Sequence, residues 1–351
     1  LVATKTARIV KAAEGKAGTD FGACRAHNVD AAVYGARASY IGGAAGTATV
    51  LAGQMFGIPV SGTMAHSWVM YYKDEYEAFR HYAENYPDNT VLLVDTYDTI
   101  KSGIPNAIRV AREVLEPMGK RLKGIRIDSG DLAYQSIKVR KMLDDAGLTD
   151  CKIIVSNSLD EHTISSLNMQ KARIDGYGVG ERLITGASSD YSEDSISLLG
   201  AVYKIAAVEE NGGFAPRIKV SGSVEKITNP GLKKVYRVYD QNGKAKADLI
   251  AKADETIDMS QEFRFVDPDM PWRNLKFTHC TVRPLQEKIF ENGKLVYKLP
   301  TLNEIRAYVK KQLDEEIWEE EQRFVNPHKH YMDMTPDYYD MKMSLLNDSR
   351  A

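Results

Sequence analysis

Ser61-Gly62-Thr63-Met64-Ala65-His66-Ser67 follows directly on the short apolar run Gly57-Ile58-Pro59-Val60. A buried strand that ends in small polar groups and one histidine is how a β/α barrel presents its chemistry. Four further strand-like runs end the same way. Thr90-Val91-Leu92-Leu93-Val94 leads to Asp95 and Asp98, and Gly124-Ile125-Arg126-Ile127 leads to Asp128-Ser129-Gly130-Asp131. Lys152-Ile153-Ile154-Val155 leads to Ser156-Asn157-Ser158 and then Asp160. Ile174-Asp175-Gly176-Tyr177-Gly178-Val179 leads to Gly180 and, a little later, Thr185. Parallel strands aim such ends at one mouth, so side chains far apart in sequence can share a ligand. Arg126 inside an apolar run needs an anionic partner, either Asp20 or a bound carboxylate or phosphate. Asp95 and Asp128 each begin a strand-to-helix turn and suit helix capping as well as ligand binding. At Asp128 the following Ser129-Gly130 lets the backbone approach a ligand closely and favours binding. Gly176-Tyr177-Gly178-Val179-Gly180 is no dinucleotide fingerprint, because its third glycine would fall at Leu183. On a late barrel strand it suits phosphate binding through backbone N–H groups, with a flexible turn as the plain alternative. His27, His81, His162 and His279 read as structural or solvated.

The elements that must hold these residues recur about every thirty residues, the size of one βα unit. Helical patterns cover Asp74 to Tyr86, Thr99 to Met118, Leu132 to Ala146 and Glu161 to Lys171, with earlier helices around Asp30–Tyr40 and Thr47–Phe56. Continuous apolar strands alternating with helices predict a parallel sheet covered on its faces, an α/β barrel over residues 1–200. Beyond Gly200, half-exposed strands at Ala201–Val208, Ile218–Val220 and Lys233–Tyr239, with turns at Asn229-Pro230-Gly231 and a hairpin at Asn242-Gly243, predict a smaller α+β domain. Residues 201–351 would thus hold the last barrel elements, that domain, and a charged helix over Leu302–Phe324 with a C-terminal tail. Trp318 and the Tyr331–Tyr339 aromatics read as packing groups and the Asp314–Glu321 acids as a solvated face.

Composition bounds the function. The 351 residues carry a net charge of -2, 43% apolar and 27% charged residues. That balance supplies no electrostatic footprint for nucleic acid, and no apolar run is long enough to span a bilayer. Cys24, Cys151 and Cys280 are odd in number and far apart, which argues against a disulfide framework or zinc site and fits the cytoplasm. Residues 1–14 read as a helix already in progress, with no cap before it, so a preceding N-terminal portion is expected.

Several motifs together resemble the nicotinate phosphoribosyltransferase family. They are Asp20-Phe21-Gly22 with Arg25-Ala26-His27, Tyr40-Ile41-Gly42-Gly43, Val50-Leu51-Ala52-Gly53, Gly62-Thr63-Met64-Ala65-His66-Ser67, Asp95-Thr96-Tyr97-Asp98-Thr99 and Arg126-Ile127-Asp128-Ser129-Gly130-Asp131. Ser156-Asn157-Ser158-Leu159-Asp160-Glu161 and Leu199-Gly200-Ala201-Val202-Tyr203-Lys204 extend the likeness almost end to end. The resemblance implies an irregular, TIM-like β/α barrel of the type II phosphoribosyltransferase kind, a second domain built from both chain ends, and a homodimer with sites at the subunit interface. It implies transfer of phosphoribose from phosphoribosyl pyrophosphate to nicotinate, giving nicotinate mononucleotide and pyrophosphate in NAD salvage, coupled to ATP hydrolysis through a phosphohistidine. The matching histidine is His66, and family ligand contacts fall on Thr63, Arg126 and Thr185. With it come Asp95 and Asp128 as catalytic candidates and Asp20, Arg25, Asn157, Gly178 and Gly180 as substrate contacts. Asp128 suits ribose hydroxyls, Arg126 the nicotinate carboxylate or a phosphate, and Mg²⁺ the departing pyrophosphate. The chain departs from the family at Cys24, where a second arginine is usual, and at Thr49, where asparagine is common. The resemblance also implies an aromatic contact to the nicotinate ring from the N-terminal portion expected to precede residue 1. The alternatives are an enzyme using nicotinamide or quinolinate and a non-catalytic nucleotide-binding barrel; one good histidine among the strand ends disfavours a metal-dependent hydrolase.

Overall fold

A computed structural model describes residues 1–187, 201–223, 226–259, 261–328 and 330–349. The contacts divide the chain into two units, Leu1–Leu199 with Leu302–Lys310, and Gly200–Thr301 with Lys311–Ala351.

The first unit is built on six parallel strands: β1 Ala17–Asp20, β2 Gly46–Thr47, β3 Val91–Leu93, β4 Gly124–Ile127, β5 Lys152–Val155 and β6 Gly176–Val179. Their spatial order is β2-β1-β6-β5-β4-β3. That is the cyclic order of a wound barrel with one seam, between β2 and β3. A parallel bridge from Thr47 to Val60 extends the β2 edge. The run Ile58–Val60, expected to be a full strand, contributes only this bridge. Pro59 has no N–H to give, although its carbonyl accepts from Thr47 N at 3.0 Å. β1 was not among the expected strands. Ala-Gly-Thr-Asp carries no apolar signal, yet it lies in the interior of the sheet, flanked by β2 and β6.

Leu92, Leu93, Ile125, Ile127, Ile153, Val155 and Val179 are fully buried, as both-face coverage demands. The covering helices are α1 Val2–Ala12, α2 Val29–Ile41, α3 Val50–Phe56, α4 His66–Tyr71, α5 Glu75–Asn85, α6 Ile104–Val110, α7 Leu132–Asp145, α8 Glu161–Met169 and α9 Glu181–Thr185. Their starts follow capping chemistry. Asn28, Asp74, Asp131 and Asp160 each accept a backbone N–H three residues on. Thr99–Met118, expected as one helix, opens with a π turn at Thr99–Gly103 capped by Asp98, which accepts from Ile100 N and Lys101 N. A second π turn at Ala111–Leu115 follows α6.

α10, Leu302–Lys311, was expected in the second domain, but Leu302–Lys310 belongs to the first unit. Arg306 stacks over the Tyr40 ring at 4.2 Å and donates to the Tyr40, Ala44 and Gly43 carbonyls that end α2. The charged helix stops early because Ile317 turns extended.

In the second unit β7 Ala207–Glu210 and β8 Gly213–Pro216 form a hairpin, as do β14 Phe290–Glu291 and β15 Lys294–Leu295. The main sheet runs β12-β11-β16-β10-β9-β13 through Asn274–Phe277, Phe263–Val266, Met332–Met334, Ala245–Lys252, Lys233–Tyr239 and Thr281–Pro284. β9 and β10 are joined across Asn242-Gly243, with Gly243 at φ 75° as the turn requires. Ile218–Val220, expected as a strand, pairs with none of these. α11, Pro336–Asp348, docks through buried Tyr338, whose hydroxyl donates to the Pro230 carbonyl at 2.7 Å.

Asp333 on β16 is fully buried, and neither carboxyl oxygen has a hydrogen-bond partner. Burial and then the neighbouring Asp267 charge push its pKa from 3.8 up to about 6. The fold therefore prefers the protonated acid. Its contribution is fully present below pH 3.8 and is lost as pH rises through 6, leaving a penalty on the order of 3 kcal/mol at neutral pH. Asp333→Asn stays neutral throughout. Denaturant titrations at pH 4.5 and pH 8 are expected to show the variant gaining on the wild type as pH rises, by about 2 kcal/mol. A pH-independent difference would count against this account.

Candidate active site

β3, β4 and β5 each deliver a polar side chain just past their carboxyl ends, Asp95, Asp128 and Ser156. His66 is the first residue of α4, after the extended Ser61–Ala65 segment. Its Nε2 lies 3.2 Å from Asp95 Oδ1, just past β3. The Asp95 side chain is 2% exposed and the imidazole 40%, so the carboxylate is sunk and the ring faces out. Asp95 Oδ2 accepts from Asp128 N at 2.8 Å and from Ser129 Oγ at 2.6 Å, both past β4.

Arg126 is the centre of the other half. Nε donates to Ser156 Oγ at 2.8 Å, Nη1 to Thr63 Oγ1 at 2.9 Å, and Nη2 sits 2.9 Å from Asp128 Oδ1. Ser156 Oγ also donates to Asp128 Oδ1. The guanidinium lies 5.2 Å from the Phe21 ring. An unbroken chain of contacts therefore runs from His66 through Asp95 and Asp128 to Arg126, Ser156 and Thr63, joining the ends of β3, β4 and β5 to the segment after the Val60 bridge.

The aspartates divide their work. Asp95 and Asp128 cap no helix; the caps are Asp98 and Asp131, three residues later in each case. The first of each pair is thereby released for the site.

Other expected contacts fall elsewhere. Asp20 is neither a partner of Arg126 nor open to a ligand. It is fully buried, accepting from Gly22 N at 2.8 Å and Thr47 Oγ1 at 2.7 Å, and burial raises its pKa. Arg25 is exposed, 3.9 Å from Glu181. Asn157 is exposed at φ 89° with Ser158 at φ 50°, a left-handed pair that sharply bends the chain after Ser156. Thr185 is half-buried, and its hydroxyl turns back to the Glu181 carbonyl at 2.7 Å, apart from the Arg126 network. Gly180 opens α9.

At Gly178 the space for a side chain is filled by Phe21, whose ring an added Cβ would overlap. Gly178→Ala must displace the ring beneath Arg126. It is expected to destabilise the chain by about 1–3 kcal/mol and to lower turnover, checked by melting and by assay. Wild-type values for both would show that Phe21 has room to move.

Ser129 and Ser156 were not singled out as site residues, although both stand in the strand-end motifs. A cavity of about 620 Å³ flanks the His66 segment, lined by Gly62–Ala65, Ser67 and the aromatics Trp68, Tyr71, Tyr72, Tyr82 and Tyr86. Among the described residues no group of three or more His, Cys, Asp or Glu is placed to hold a metal. No described helix is long and apolar enough to cross a membrane.

An open parallel β/α barrel that gathers an imidazole, two carboxylates and a guanidinium at its strand ends defines an α/β-barrel enzyme. The family model described as "Nicotinate phosphoribosyltransferase (NAPRTase) family" matches residues 17–255, and that of the "Nicotinate phosphoribosyltransferase C-terminal domain" matches 232–342. The Bacillus subtilis nicotinate phosphoribosyltransferase is 46% identical over 354 residues, covering 100% of this chain and 70% of that protein. The Dictyostelium discoideum nicotinate phosphoribosyltransferase is 34% identical over 403 residues, covering 99% and 66%. The crystal structure of human nicotinic acid phosphoribosyltransferase superposes with a TM-score of 0.81 at 27% identity, over 99% of this chain and 74% of that one. The chain belongs to the nicotinate phosphoribosyltransferase family. It spans about two-thirds of the length of the curated relatives.

Proposed function

We propose that this chain carries the phosphohistidine and the ribosyl-transfer residues of a nicotinate phosphoribosyltransferase. The reaction would join nicotinate to phosphoribosyl pyrophosphate, releasing nicotinate mononucleotide and pyrophosphate, driven by ATP, as a step of NAD salvage in the cytoplasm. The observation that carries it is the continuous network from His66 to Arg126.

Its geometry supports the following roles. An ionised carboxylate oxygen only accepts, so the Nε2–H of His66 donates to Asp95 and the neutral ring presents the Nδ1 lone pair. Nδ1 is therefore the nucleophile. The Nδ1–P bond forms as the bond from the terminal phosphorus to the bridging oxygen breaks, and ADP departs with that oxygen. Asp95 then stabilises the charged ring. Arg126 spends three of its five N–H donors inside the protein and keeps two for an anion, the nicotinate carboxylate or a phosphate. Asp128 Oδ2, which takes no hydrogen bond from the described residues, is the acceptor for ribose hydroxyls. Mg²⁺ takes few protein ligands when it travels with a polyphosphate, so a single carboxylate such as Asp128 suits it better than a closed cage would. When bound it would offset charge on the leaving pyrophosphate. A homodimer with sites at the subunit interface belongs to the same proposal.

A coupled assay of the full protein with nicotinate, phosphoribosyl pyrophosphate and Mg²⁺, with and without ATP, tests it. Turnover stimulated by ATP is expected. Turnover with nicotinamide in place of nicotinate would reassign the substrate, and binding without turnover would leave a nucleotide-binding barrel.

A further inference from the structure

Between Asp95 and α7 lies a second set of contacts that the chemistry above does not use. Ser129 Oγ donates to Asp95 Oδ2 at 2.6 Å, one residue after Asp128 N donates to the same oxygen. The two donors form a fork on one oxygen and leave Oδ1 to His66. Ser129 is exposed and precedes Gly130 at φ 75°, so nothing in its own burial holds it there. Gln135, on the second turn of α7, supplies the hold. Its Nε2 donates to the Ser129 carbonyl at 3.0 Å, and it fills the place a Gly130 side chain would need. α7 is itself pinned beside this loop by Asp131, which accepts from Tyr134 N at 3.0 Å. The contacts run Gln135 to Ser129 to Asp95 to His66, from a rigid helix to an imidazole that is otherwise on the exposed side of the site.

We infer that Ser129 and Gln135 are positioning residues: they fix the rotation of the Asp95 carboxylate and so select the Nε2–H tautomer of His66. The inference rests on the nucleophilic reading of His66 only for its kinetic consequence. The tautomer is a property of the resting protein. Without the Ser129 hydroxyl, Asp95 Oδ2 keeps one donor of two, the carboxylate is free to turn, and the ring divides its proton between the two nitrogens. A neutral ring protonated on Nδ1 has no lone pair facing the phosphorus.

The test is ¹⁵N NMR of the histidine side chains in the full protein, wild type against Ser129→Ala, Ser129→Thr and Gln135→Leu. The wild type is expected to hold the neutral His66 ring almost wholly as Nε2–H. Ser129→Ala and Gln135→Leu are expected to show a mixture, with Ser129→Thr restoring the single tautomer. In parallel, Ser129→Ala should slow phosphate uptake from ATP about fivefold with unchanged ATP affinity, one lost hydrogen bond being worth about 1 kcal/mol. Identical tautomer populations in all four proteins would overturn the inference. A wild type that holds the Nε2–H tautomer and takes up no phosphate would overturn the nucleophilic role and leave the positioning intact. Gln135→Leu keeps the volume of the side chain, so the question remains answerable if Ser129→Ala does not fold.

Discussion

His66→Asn leaves the full protein folded but unable to take up phosphate from ATP. The imidazole is 40% exposed and its one polar contact among the described residues is to Asp95, so little packing is lost with it. The chemical loss is large, because no other described histidine contacts Asp95, Asp128 or Arg126. Incubation with γ-labelled ATP should give the wild type an acid-labile, alkali-stable label and the variant none. Turnover in the presence of ATP should fall by about 100-fold or more, the scale of removing a positioned catalytic group. Turnover without ATP, the uncoupled transfer, should change little, because Asp128, Arg126 and Thr63, the groups proposed for the transfer step, remain in place. An unchanged label would place the nucleophile elsewhere. A loss of both coupled and uncoupled turnover with wild-type melting would make His66 part of ribosyl transfer itself.

The same split, chemistry on one side and scaffold on the other, explains what could be read in the chain. The strand ends were legible because β3 to β5 are short, largely apolar runs that stop at polar residues, and burial on both faces writes that signal directly. β1 was illegible. Ala17-Gly18-Thr19-Asp20 owes its place to pairing with β2 and β6, and its one acid is hydrogen-bonded locally by Thr47 and Gly22 rather than by a substrate. That is also why Asp20 looked like a partner for Arg126 or a substrate contact: an acid in the Asp-Phe-Gly motif has the same local sequence whether its oxygens face in or out. Asp95 and Asp98, and again Asp128 and Asp131, could not be told apart by type. Only the path of the backbone after each strand decides which carboxylate meets the first turn of a helix and which meets the end of the neighbouring strand. The assignment of Leu302–Lys310 to the first unit rests on Arg306 ending α2, more than 250 residues away in sequence, and no periodicity carries that information.

Arg126→Lys separates the two jobs of the guanidinium. As a brace, Arg126 holds Ser156, Thr63 and Asp128 with three different nitrogens, and its side chain is only 15% exposed. Removing the cation altogether, as in Arg126→Ala, strands the Asp128 carboxylate and the two hydroxyls in a partly buried site. The cost expected is about 3 kcal/mol, large against the total stability of a domain. Lysine keeps the charge beside Asp128 and avoids most of that cost. It cannot reproduce the fork, because an ammonium places its donors at one point while the guanidinium spreads five in a plane. The two donors still open to a ligand lie in that plane, one on Nη1 beside the bond to Thr63 and one on Nη2 beside the contact to Asp128. Arg126→Lys is therefore expected to melt within a few degrees of the wild type while the KM for one anionic substrate rises about tenfold or more, the worth of a charge-assisted hydrogen bond. Which KM moves identifies the anion: nicotinate if the carboxylate sits there, phosphoribosyl pyrophosphate if a phosphate does. Equal KM values for both, with normal folding, would confine Arg126 to the brace. In that case Thr63, which lines the cavity beside His66 and receives Arg126 Nη1, would owe its position to the arginine without either of them meeting the substrate.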